Sequence, residues 1–133
     1  MLLCLVLVGF GVAVSAPPDS EGARSLAEQR LKVAQEANDA LKALKKMREI
    51  ASAEQVYRWS RRLMEAEMAM SEKDADRIAA INAFLLRVKR MEALAKQGYD
   101  QGEVGYLELL DAKWQVLEAE SLLSQAKAND GTR

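Results

Sequence analysis

The segment Gln97-Gly98-Tyr99-Asp100-Gln101-Gly102-Glu103-Val104-Gly105-Tyr106 is the point from which the fold can be read. It gathers Gly98, Gly102 and Gly105, whereas no glycine occurs between Gly22 and Gly98 and no proline after Pro18. Glycine adopts the left-handed backbone that a sharp reversal needs, and Gly98 suits the position just beyond a helix end. The residues on either side are dominated by Ala, Leu, Glu, Lys, Arg, Gln and Met, the strong helix formers. A turn between two long helices follows, and with it an antiparallel helical hairpin.

Apolar spacing extends that reading in both directions. Before the turn, Ile81, Phe84, Val88, Met91 and Ala95 form a seam that Ile78, Leu85 and Leu94 widen. After it come two seams. Leu107, Leu110, Trp114 and Leu117 fade into Ser121 and Ser124, while Leu109, Ala112, Val116, Ala119, Leu123 and Ala126 run two residues out of step. An offset of two places the stripes roughly 200° apart on a helix, so this helix is expected to lie between two neighbours. The first seam is assigned to its own hairpin partner. The second, rich in small residues, is assigned to another neighbour, either another subunit or the earlier helices of the same chain.

Nearer the start, Leu26, Val33, Ala37, Ala40, Leu44, Met47 and Ala51 repeat at three-four spacing, with Arg30 in the one polar slot. Val56, Trp59, Leu63, Ala66 and Met70 continue the pattern. Ser52 and Gln55 have the spacing of a capping box. Ser71 and Asp74 are candidate caps for the next helix. Because Met70 to Ile81 holds neither Gly nor Pro, one continuous helix with a register slip stays open there. The pattern predicts helices over about 23–51, 53–71, 74–97 and 105–128. No stretch has the alternation of a strand. The expected class is all-α, with antiparallel hairpins in a coiled-coil-like bundle of three to four helices and no β-barrel. A shift of 53 residues lays Glu65-Ala66-Glu67 on Glu118-Ala119-Glu120 and the Ser52 turn on the Gly105 turn, which suggests two tandem hairpins.

Residues 1–16 read differently. Leu2 to Val14 is apolar and uncharged, and Val14-Ser15-Ala16 precedes Pro17-Pro18 as a cleavage site would. The run is too short to span a bilayer, so it reads as a secretory signal, leaving residues 17–133 as one helical-hairpin domain without a membrane-spanning segment. The 19 basic and 20 acidic residues all lie in that domain, whose formal charge of −1 argues against a nucleic-acid partner. The only cysteine, Cys4, is in the leader, and the chain has no histidine. Those absences remove Cys/His nucleophilic dyads, histidine bases and the common zinc sites, so no catalytic, cofactor or metal residues are expected.

The stretch Tyr99-Asp100-Gln101-Gly102-Glu103-Val104-Gly105-Tyr106-Leu107-Glu108-Leu109-Leu110-Asp111-Ala112, with Leu117-Glu118-Ala119-Glu120 beyond it, resembles the periplasmic hairpin of outer-membrane efflux proteins of the TolC type. The resemblance covers roughly residues 90–127. It implies an α-barrel of hairpins and a role in export. Tyr99, Glu108 and Asp111 would then stand at the pore entrance, Tyr99 helping to hold it shut and the carboxylates ringing it. Two departures matter: the gate's basic partner would fall at Val104, and no strands exist to build a membrane barrel. A looser likeness joins Val56 to Arg62, with Glu65-Ala66-Glu67, to small exported bacterial proteins of unknown role.

Each singled-out group also has a plain structural explanation. Glu108 and Asp111 share one face just inside a helix start, where the dipole favours carboxylates. Met64, Met68 and Met70 could attract a soft metal but suit packing better, lacking His or Cys beside them. Trp59 and Trp114 are expected as seam anchors. Arg58, Arg61 and Arg62 are answered by Glu54, Glu65 and Glu67, with Glu54 to Arg58 and Arg61 to Glu65 at helical ion-pair spacing. The expectation is a noncatalytic protein exported to the periplasm, with outer-membrane association open. Its partners would be protein helices, through self-association or efflux and envelope components, as an accessory or truncated efflux component. The alternative is a stand-alone periplasmic bundle that binds proteins, as a chaperone or envelope-stress sensor.

Overall fold

A computed structural model describes residues 19–46 and 52–132 as four helices and, among those residues, no strand. They are α1 (Asp19–Lys46), α2 (Ala53–Ala69), α3 (Asp74–Asp100) and α4 (Tyr106–Asp130). The leader, Met47 and Ala51 lie outside the described residues. The helix α1 begins four residues before its expected start, and α3 runs three residues past its expected end.

Ser52 caps α2 as its spacing predicts. Its hydroxyl accepts the Gln55 N–H at 3.1 Å, and the Gln55 side chain accepts the Ser52 N–H at 3.3 Å. The chain then breaks between α2 and α3, so the two are separate helices. The caps differ from expectation: Lys73 holds the N-cap position of α3 without a side-chain bond to the helix. Ser71 accepts the Lys73 N–H at 3.1 Å and donates to Asp76 at 2.6 Å, while Asp74 falls inside the first turn.

Packing joins α1 to α2, α2 to α3 and α3 to α4, and α1 does not reach α3 or α4 among the described residues. Met64 of α2, Ile81, Phe84 and Val88 of α3, and Val116 and Ala119 of α4 form the core, with Tyr57 and Leu123 packed against it. Val88 and Val116 in one core establish the α3/α4 hairpin. The N-caps of α2 and α4, Ser52 and Gly105, are the two turns that the 53-residue shift superimposes, and Ala66 and Ala119 are both buried.

Two seams are phased differently from expectation. In α1 the buried face passes through Ala34 and Asn38, flanked by Leu31 and Leu41, while Leu26 and Val33 are 61% and 53% exposed. Asn38 determines this phase by donating one amide to the carbonyls of Ala34 at 2.8 Å and Trp59 at 3.1 Å. In α4 the stripes exchange roles. Leu109, Ala112, Val116 and Ala119 are buried within the chain, whereas Leu107, Leu110, Trp114 and Leu117 are exposed at 76%, 39%, 68% and 61%. Small side chains let two helices approach closely around Phe84, which a stripe bearing tryptophan would prevent. Trp114 is therefore not a core anchor. Leu94 is exposed as well. Met64 is buried in the core and Met70 only half-buried, the reverse of their expected order.

Candidate functional site

The turn that decides the fold also shapes the site. The Glu103 N–H bonds to the Gly98 carbonyl at 2.8 Å and the Gly102 N–H to the Tyr99 carbonyl at 3.0 Å, the paired bonds of a Schellman ending. The left-handed residue is Gly102, with φ 74°, and not Gly98 as the sequence suggests. Gly98 lies inside α3, buried, and is small for a different reason. A Cβ there would stand 2.5 Å from Val104 Cγ2. Val104 thus seats on Gly98 and sets the phase in which α4 departs. Gly105 occupies the N-cap of α4 with ordinary negative φ and open space around it.

Above the core, α2 ends at Ser52 while α3 and α4 continue to the turn. This leaves an open groove of about 940 Å³. Val56, Met91, Ala95, Val104 and Trp114 supply its apolar surface, and Glu54, Glu108, Asp111 and Glu118 its carboxylates. The structure therefore brings Glu108 and Asp111 together on one groove wall, both solvent-exposed. Tyr99 is not with them. It packs against Tyr106 across the turn, ring centroids 5.8 Å apart, and both rings are exposed.

A side-chain cluster closes the inner end of the groove. The Tyr57 hydroxyl donates to Glu118 at 2.8 Å, and Arg61 donates to the Tyr57 oxygen at 3.1 Å and pairs with Glu118 at 2.9 Å. Arg61 also meets Glu65 at 3.1 Å. The bonds from Arg61 and then Tyr57 hold the Glu118 carboxyl below its usual range. Burial pushes the Tyr57 phenol up, with the Glu118 carboxylate adding to the rise against Arg61. Arg61 is held still further above its already high value by Glu118. The helical spacing predicted Arg61 with Glu65, but the Tyr57–Glu118 bond beside it spans 61 residues, and no local signal carries it. Lys89 and Glu120 pair at 3.3 Å across α3 and α4. On the other side of α2, Arg62 lies over the Trp59 ring, 4.6 Å from its centroid. Arg58 pairs with Glu54.

This arrangement can clamp helices and present an apolar surface with acidic edges. Among the described residues Glu108 and Asp111 make no ion pair. Among the described residues no group of three or more His, Cys, Asp or Glu could hold a metal ion, and no helix is long and apolar enough to cross a membrane. No protein-family model, curated protein or solved structure matches the chain.

Proposed function

We propose that the chain is a noncatalytic, exported helical-hairpin protein that works in the bacterial periplasm by helix–helix association, as an accessory or truncated relative of TolC-type efflux components. The observation that carries this reading is the outer face of α4. Leu107, Leu110, Trp114 and Leu117 keep strict three-four spacing and stand exposed directly beyond the turn that resembles the efflux hairpin. A large apolar strip on a charged helix marks an association surface. Glu108 and Asp111 beside it supply an acidic edge, the position the resemblance gives to pore-entrance carboxylates. The Tyr99 element of that resemblance has less support, since its ring is taken up by Tyr106.

A second reading draws on the groove. Its apolar floor and acidic edges suit a stand-alone binding module, such as a chaperone or envelope-stress sensor, on a chain that stays monomeric. One experiment addresses both. The chain of residues 1–133 is expressed in a bacterium with two membranes, with a photo-crosslinking amino acid at position 114. Recovery from the periplasm or outer membrane with a mature start at Pro17, crosslinked to itself or to an identified envelope protein, supports the proposal. Cytoplasmic protein that retains Met1 to Ala16 overturns the export reading. A monomer crosslinked to varied unfolded clients selects the chaperone.

A further inference from the structure

Among the described residues the four helices form an open series: α1 packs on α2 alone, and α4 lies at the other end, packed on α3 with side-chain bonds from Glu118 to α2. Each end of the series keeps an apolar surface. At one end is the α4 strip. At the other, Leu26 and Val33 of α1 face Trp59 of α2 across a groove of about 430 Å³, edged by Arg30, Arg62 and Glu65. We infer that these two surfaces bind each other between copies of the chain, the α4 strip of one copy seating in the α1/α2 groove of the next. This rests on the helix–helix association proposed above and names both surfaces and the partner, a second copy.

Shape, charge and area all favour that occupant. The strip is the exposed outer face of one helix, with Trp114 its largest side chain, and the other surface is a groove between two helices, so a helix seated there is contacted from both sides. Asp111 flanks the strip on one side and Lys113 on the other. The groove offers Arg30 and Arg62 to the first and Glu65 to the second. Neither Asp111 nor Arg30 has an ion pair within the described chain, and pairing across the interface supplies one to each. The four exposed side chains of the strip amount to roughly 400–500 Å² of surface, the size of the largest apolar patch on an ordinary monomer. Covering strip and groove together removes on the order of 1,000 Å² from water, the lower end of specific interfaces. Such contacts are weak, with dissociation constants on the order of 10–100 µM. A head-to-tail contact uses different patches on the two copies, so an assembly of any length keeps one free strip at one end and one free groove at the other, and growth ends only by ring closure.

The test uses chain purified from cells expressing residues 1–133, followed by light scattering and sedimentation over a concentration series. Two variants each remove one surface at an exposed position: Trp114→Glu on the strip and Val33→Glu in the groove. Circular dichroism confirms that both keep their helicity. The unmutated chain is expected to rise at least twofold in average mass across the range, and each variant alone to stay monomeric. Mixing the two is expected to restore a species of two chains and no larger, because each variant contributes its intact surface. A chain that stays monomeric at about 1 mM, where contacts far weaker than the proposed one are still populated, overturns the inference. It is equally overturned by a Val33→Glu variant that still self-associates, the mark of strip against strip, or by a mixture that stays monomeric. The export reading is measured separately by the Pro17 start and survives any of those failures.

Discussion

Gly98 and Gly105 flank the same turn but obey different constraints. At Gly98 any Cβ runs into Val104, and the neighbour that must yield sets the direction of α4. Gly98→Ala is expected to lower stability by about 1–2 kcal/mol, since overpacking outweighs the gain in helix propensity. Gly105→Ser has room and adds a capping hydroxyl, so it should be neutral or stabilising by a few tenths of a kcal/mol. Urea unfolding of the two variants side by side checks the contrast. Tyr57, Arg61 and Glu118 supply a pH dependence. The Glu118 pKa is depressed in the folded chain, so its contribution is complete above the ordinary carboxylate value of about 4.3. It is lost as pH falls through the depressed folded value. Tyr57 is raised, so its contribution holds below about 10 and is lost as pH climbs through its elevated folded value. Glu118→Gln should cost about 1 kcal/mol near neutrality, discounted for its partial exposure, and should flatten the acid limb of the stability profile. An unchanged acid limb in chemical denaturation would remove Glu118 from the account.

At the scale of elements, the α1–α2 contact depends on one polar side chain. Asn38 is buried and donates to two carbonyls, one on each helix. A buried amide of this kind aligns helices, because sliding either one takes the Trp59 carbonyl away from its donor, while the Ala34 bond stays within α1. Asn38→Asp keeps the shape but replaces both donors with acceptors facing carbonyl oxygens. The expected cost is about 2–4 kcal/mol, concentrated in α1. Hydrogen exchange should show α1 losing protection while α3 and α4 keep theirs, and uniform loss across all four helices would contradict a local clamp. Arg87 ties the other side of α2 by donating to the Ser60 carbonyl at 3.1 Å, although burial lowers its pKa, with Glu67 acting in the opposite sense.

At the scale of the whole molecule, stability should be graded along the open series. Phe84, Val88 and Ala119 are fully buried in the core that α2, α3 and α4 share, whereas among the described residues α1 leans on α2 alone. Native-state hydrogen exchange is expected to find the most protected amides around Phe84 and Val116 and the least protected helical amides in α1. Protection in α1 equal to that of α3 would show a closed bundle instead. Concentration should raise protection in α1 and along the outer strip of α4 together, since the inferred interface covers both at once.

Much of this arrangement follows from neighbours close in the chain. The helical class, the reversal at Gly98 to Gly105, the Ser52–Gln55 cap and the Arg58–Glu54 pair all arise within a few residues, where covalent geometry brings the groups together. Periodicity also revealed both stripes of α4. It could not say which stripe turns inward, because two apolar seams at the same spacing are equivalent until a partner surface exists. Packing against Phe84 and Val88 chose the seam of small residues, which allows close approach, and left Trp114 outside. For α1 the deciding group was Asn38, a polar residue whose place in the buried face depends on the Trp59 carbonyl of another helix. Tyr57, Arg61 and Glu118 meet only after α2 and α4 have both packed on α3, since a contact across 61 residues depends on tertiary packing and leaves no local pattern to read.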